Sequence, residues 1–192
     1  MDIHEMVKTG DVAGVGAYLR GGGKVDARNP NGQTPLMFAA LRNQVEIAQL
    51  LIAARADVNA PASDGLTPLM AAVGRSAPEV ARLLIAAKAD VNKQDKVNEF
   101  TALIGAAWQG DIEAVRMLLA AKAKVNLRAK HGRTALMAAS AKGYAVIVGL
   151  LLEAKADANI KDTQGGNTAL SGAERAGHAD VVRLLKAAGA KG

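Results

Sequence analysis

"TPLMAAVGRSAPEVARLLIAAKADVN", residues 67–92, carries two apolar stripes at helical spacing with a break between them, and its reading decides the fold. Thr67 is a good helix N-cap and Pro68 falls at the first helical position, where a missing N–H costs nothing. Ser76 interrupts the pattern. Beyond it Val80, Leu83, Leu84 and Ile85 form a second, more apolar stripe, in which each fully buried leucine contributes about 1.5–3 kcal/mol.

The opening phrase recurs as TPLMFAA from Thr34, TPLMAAV from Thr67, TALIGAA from Thr101, TALMAAS from Thr134 and TALSGAE from Thr168, at intervals of 33, 34, 33 and 34 residues. In the first four units the closing phrase ends 25 residues after the threonine, at Asn59, Asn92, Asn126 and Asn159. The extra residue of the longer intervals therefore falls in KQDKVNEF and IKDTQGGN, which marks that stretch as a loop. Each unit is a helix pair plus a loop, with the break between helices at Asn43, Ser76, Gly110, Gly143 and Gly177. The first helix of a pair buries residues such as Leu36, Ala39 and Ala40, where alanine lets neighbouring helices come close. No single unit can bury both faces of its helices, so stacking makes the core. The end units are expected to be polar caps. Lys186 stands where inner units have Ile52, Ile85, Leu119 and Leu152, Glu174 where they have Ala40, Val73 and Ala107, and Glu5 falls opposite Phe38.

Thr-Pro-Leu with two alanines, a glycine turn, paired leucines and Ala-Asp-Val-Asn at this period resembles the ankyrin repeat over nearly the whole chain. The resemblance implies an all-α solenoid of six stacked helix pairs with β-hairpin fingers and polar capping units at both ends. It implies a single domain, 1–192, with units at 1–27, 28–60, 61–94, 95–127, 128–160 and 161–192. Two departures bear on the packing. The family's usual histidine after Thr-Pro-Leu is replaced by Met37, Met70, Ile104, Met137 and Ser171, so a hydrogen-bonding tie between units gives way to packing; only the first unit keeps a histidine there, His4. The usual glycine closing the second helix is replaced by Arg55, Lys88, Lys122 and Lys155. A left-handed backbone at such a residue costs on the order of 1 kcal/mol relative to glycine. A cation beside the carbonyl end of a helix recovers about 0.3–1 kcal/mol of that, which favours a structural role over a partner-binding ribbon.

Half of the 192 residues are apolar and only 3% aromatic, the composition of closely packed helices rather than of a sheet sandwich. The net charge of +6 and pI of about 9.7 favour an acidic partner, nucleic acid or an anionic surface. Absence of cysteine excludes a disulfide framework, a thiolate metal site and a cysteine nucleophile, and leaves the redox compartment open. The longest apolar run, Tyr144 to Leu152, is far short of the roughly 18 residues of a membrane span. MDIHEMVKTGD shows no signal-peptide core, so a cytoplasmic location is favoured, with a periplasmic or secreted one open if a leader was removed.

The residues that carry chemistry are placed by the repeat. His4, His131 and His178 fall in different units and read as surface histidines, so no metal set or proton relay assembles. Ser63, Ser76, Ser140 and Ser171 lack repeated His and Asp partners, and no nucleophile motif occurs. GGGK at Gly21 to Lys24 lacks the rest of a phosphate-binding loop and reads as a loop terminator, and TQGGN at 163–167 as the tip of an enlarged finger. Glu46, Glu79, Glu113 and Asp180 stand near the start of the second helices, where negative charge suits the dipole. No catalytic residue, metal or cofactor is expected.

Positions that differ between units on one face are free to meet a partner. By the resemblance that face is concave, formed by the fingers and the exposed side of the first helices. Seven and eight residues after each threonine stand Leu41-Arg42, Gly74-Arg75, Trp108-Gln109, Ala141-Lys142 and Arg175-Ala176; just before the threonines stand Gln33, Leu66, Phe100, Arg133 and Asn167. A core slot would not tolerate Leu41, Gly74, Ala141 and Arg175 where one unit has Trp108, the only tryptophan. The candidate binding residues are Trp108 with Phe100, Leu66 and Leu41 at an apolar centre and Arg42, Arg75, Gln109, Arg133, Lys142 and Arg175 around it. The expectation is a monomeric, non-enzymatic module that binds another protein through an acidic, partly apolar epitope, with no membrane partner. The alternative is nucleic acid or another polyanion in the same basic groove, although few aromatics interleave with the basic residues for base stacking.

Overall fold

The computed structural model describes residues 2–191. The chain divides into two compact units, Met1–Val97 and Asn98–Gly192. Unit 1 consists of α1 (Ile3–Thr9), α2 (Val12–Arg20), α3 (Pro35–Leu41), α4 (Val45–Ala53), α5 (Pro68–Gly74) and α6 (Pro78–Ala86). Unit 2 consists of α7 (Ala102–Gln109), α8 (Ile112–Ala120), α9 (Ala135–Lys142), α10 (Ala145–Glu153), α11 (Ala169–Ala176) and α12 (Ala179–Ala187), with a short 3-10 turn at Lys130–Gly132. Within each unit consecutive helices pair, first helices pack on first helices and second on second. This is the stacked helix-pair architecture expected from the period.

Local chemistry starts each first helix. The hydroxyls of Thr34, Thr67, Thr101, Thr134 and Thr168 accept from the backbone N–H three residues on at 3.2–3.4 Å, a cap worth about 1 kcal/mol when replaced by alanine. Ser171, one of the residues in the family's histidine position, returns the contact by accepting from Thr168 N–H at 2.9 Å and completes a capping box. All five threonines are buried, so the caps sit inside the stack.

The turn inside each pair needs a left-handed residue. Gly143 has φ 75°, and a Cβ there would lie 2.7 Å from Nδ1 of His178, the residue that opens the second helix of the next pair. Gly110 meets the Tyr144 ring of its next pair in the same way. At Asn43 (φ 52°) the corresponding residue is the small Ala77, and the Asn43 side chain reaches across to donate to Glu79 Oε2 at 2.9 Å. That bond, with Glu79's own N–H next in weight, holds the Glu79 carboxyl below its ordinary pKa. Arg55, Lys88, Lys122 and Lys155 all adopt φ of 61–67°, so the left-handed cap without glycine is realised four times.

One leucine of each second-helix pair is fully buried: Leu51, Leu84, Leu118, Leu151 and Leu185. Residues one position later, such as Ile52, are only half-buried, which is why Lys186 fits there in the last pair. Its Nζ lies 3.0 Å from Oε1 of Glu174, so the two polar departures of the C-terminal cap pair with each other. Pairs are also tied through the backbone. Asp90 N–H donates to Asn59 Oδ1 at 2.7 Å, Asp157 N–H to Asn126 Oδ1 at 2.9 Å and Lys191 N–H to Asn159 Oδ1 at 2.8 Å. The repeated asparagine thus accepts from the next pair.

The fingers are hairpins of minimal length. Ala62 N–H bonds Leu66 O at 2.9 Å and Ala129 N–H bonds Arg133 O at 2.7 Å, and neighbouring fingers are linked by Ser63 N–H to Asn31 O and Thr163 N–H to His131 O. No β-strand is formed among the described residues.

The surface reading of the three histidines is corrected at His4. It is 4% exposed, with Nε2 3.1 Å from Gln33 O, Nδ1 3.2 Å from the Asp2 carboxylate, and its ring edge-on to Phe38. The cause is register: His4 fills the slot that Met37 and Met70 fill in the next two pairs, and there it supplies a polar tie to the following finger. His131 is exposed and His178 half-buried.

Candidate functional site

The first helices of unit 2 are short and rich in small residues, so α7, α9 and α11 pack side by side, and with the fingers ahead of them they line a groove of about 360 Å³. Ile104 from α7 and Met137, Ala138 and Ala141 from α9 make much of it apolar. Phe100 and Trp108 add two aromatic rings, and Arg133, Asp162, Asn167 and Arg175 the polar contribution.

Trp108 sits in the last turn of α7 and is 40% exposed. Lys142 Nζ lies 4.5 Å from its ring centre and Arg133 Cζ 5.9 Å, contacts worth about 0.5–1 kcal/mol each at an exposed site. These cations order the indole and leave it bordered by positive charge. A cationic ligand approaching the ring would meet like charge.

Arg175 is ordered by a relay from the enlarged finger. The Asp162 carboxylate accepts from the N–H of Gln164, Gly165 and Asn167 at 3.0–3.2 Å and from Asn167 Nδ2 at 2.9 Å. Burial pushes the Asp162 pKa up, but the bonds from the Asn167 side chain and the three N–H groups outweigh it and hold the carboxyl below its ordinary value. With the carboxylate fixing its amide, Asn167 presents Oδ1 to Arg175 Nη2 at 2.6 Å. Charge is unevenly spread: unit 1 has 11 Lys and Arg against 10 Asp and Glu, unit 2 has 13 against 8, so +5 of the net +6 belongs to the unit that holds the groove. No group of three or more His, Asp or Glu that could hold a metal ion occurs among the described residues. No helix there is long and apolar enough to cross a membrane.

A family model described as ankyrin repeats (3 copies) matches residues 3–95 and 103–191. The chain belongs to the ankyrin repeat family. A solved ankyrin repeat domain from Acinetobacter baumannii AYE is 35% identical and superposes with a TM-score of 0.92, covering 98% of this chain and 98% of that one. No curated protein matches the chain. Ankyrin repeats are in general non-enzymatic protein–protein interaction modules, built on a scaffold that leaves the partner to the variable side chains.

Of the residues singled out in this ankyrin sequence, Phe100, Trp108, Arg133 and Arg175 line one groove and Lys142 stacks on Trp108. Gln109 is exposed at the end of α7 and does not line it. Leu41, Leu66, Arg42 and Arg75 belong to unit 1: the leucines are half-buried, and the arginines are exposed C-caps whose N–H groups close α3 and α5. Ile104, Met137 and Asp162 also line the groove, although the sequence marks none of them as a binding residue. The first two stand in the family's histidine position, read from sequence as packing, and Met137 is less buried than Met37. Asp162 had no signal beyond its place in the lengthened finger.

Proposed function

We propose that this protein binds another protein through the groove of unit 2, and that the bound epitope is acidic and partly apolar. One observation carries the reading: an exposed indole beside an apolar groove, with Lys142 and Arg133 over its ring and Arg175 fixed in the lining. Aromatic anchors with charge around them are a common composition of interface centres. The excess positive charge of unit 2 steers an acidic partner toward that unit. The test is affinity capture from source extract with the wild type and a Trp108→Ala/Arg175→Glu variant. Partners recovered by the wild type and lost by the variant support the reading, and identical recoveries refute it. Binding of mixed-sequence nucleic acid that is tight, steeply salt-dependent and indifferent to Trp108→Ala would replace it with the polyanion alternative.

A further inference from the structure

Resting on that reading, we infer that the groove takes one short extended segment of the partner, with an apolar side chain against Met137, Ala141 and Trp108 and carboxylates on both flanks, one at Lys142 and Arg133 and one at Arg175. The argument is one of charge and space. The groove volume of about 360 Å³ takes one or two side chains, and a segment that brings carboxylates to both flanks of them within a few residues is extended, because a helix advances only about 1.5 Å per residue. Its cations stand at separate places, two against Trp108 and one held through Asn167. Lys142 and Arg175 lie on adjacent first helices, and packed helices are about 8–10 Å apart, so allowing for side-chain reach the two carboxylates are about 10–15 Å apart, or three to five residues of extended chain at about 3.3 Å each.

The one acidic side chain in the lining does not oppose this. Asp162 already accepts four hydrogen bonds, and its role is to orient the amide that holds Arg175. One guanidinium N–H of five is used by Asn167, so Arg175 keeps donors for a carboxylate, to which a planar guanidinium bonds in bidentate fashion. The Trp108 ring, bordered by two cations, excludes a lysine-rich or quaternary-ammonium segment.

The experiment uses the full chain and Trp108 as an intrinsic fluorophore, since no other tryptophan contributes. Three peptides of nine residues are titrated, one with a central leucine and glutamates four residues apart around it, one with those glutamates changed to lysine and one with the leucine changed to glycine, and beside them a mixed-sequence oligonucleotide. The expected result is saturable binding of the first peptide, weakened at least tenfold by either change and by Lys142→Glu or Arg175→Glu, both at exposed positions, with melting temperatures of the variants within about 4 °C of wild type. Equal binding of the lysine peptide, or oligonucleotide binding tighter than the acidic peptide, overturns the inference. If no peptide binds while capture from extract still depends on Trp108, the short-segment inference fails and the broader reading stands; if capture does not depend on Trp108 either, both fail.

Discussion

Ser140 offers a sharp test of how the stack is packed. It lies in α9 at 0% exposure, and its hydroxyl has no hydrogen-bond partner among the described residues. The equivalent residues are Ala40, Val73 and Ala107, all buried and apolar. A hydroxyl left unpaired in the interior costs about 1–3 kcal/mol. Alanine in its place gains up to about 0.5 kcal/mol in helix propensity. Against this, removing one oxygen forfeits a handful of contacts at about 0.1–0.2 kcal/mol each. Ser140→Ala is therefore expected to stabilise the protein by about 1 kcal/mol. With a urea m-value of about 2–3 kcal/mol per molar, the unfolding midpoint rises by about 0.3–0.5 M, and the melting temperature by about 2–4 °C. The converse change, Ala107→Ser, places a hydroxyl in the equivalent buried slot of α7 and is expected to cost a similar amount. Equilibrium urea unfolding followed by circular dichroism measures both. A midpoint for Ser140→Ala at or below wild type would show that the hydroxyl is satisfied, and the account of this core would be wrong.

Gly143→Ala combines a left-handed backbone with a Cβ inside contact distance of His178, so it is expected to destabilise by more than about 2 kcal/mol, whereas Asn43→Gly stays within about 1 kcal/mol; paired denaturation curves decide. Asp162 has a folded-state pKa below its unfolded value of about 3.9, so its contribution is complete above that pH and is lost as pH falls through the lower folded value. Asp162→Asn should therefore lower stability at neutral pH and flatten the acid limb of a stability–pH profile, and an unchanged acid limb would contradict the hydrogen-bonded carboxylate. The Lys186 and Glu174 pair is exposed on both sides, so a double-mutant cycle should return a coupling below about 1 kcal/mol that shrinks with added salt. Trp108→Ala should lower the melting temperature by a few degrees, because more than half of the indole is covered and two cation contacts are lost, and should abolish partner capture at temperatures where the variant is fully folded.

What the sequence determined by itself is the repeating unit, because the forces that define it are local. A threonine hydroxyl reaches the N–H three residues on, and a left-handed residue turns one helix into the next. Apolar residues at helical spacing leave a face that only stacking can cover. Even Trp108's surface position was legible, since the same slot holds Gly74 and Arg175 elsewhere. Tertiary structure decided how side chains some thirty residues apart meet. Register with the next pair, not composition, buried His4 against Phe38 and Gln33. The period places the Cα atoms of Arg133, Lys142 and Asn167, but long side chains have several torsions, and their final positions depend on what neighbouring helices leave open. Whether Lys142 reaches Trp108 and whether Asp162 steadies Arg175 through Asn167 is settled by that packing, and no linear pattern encodes it.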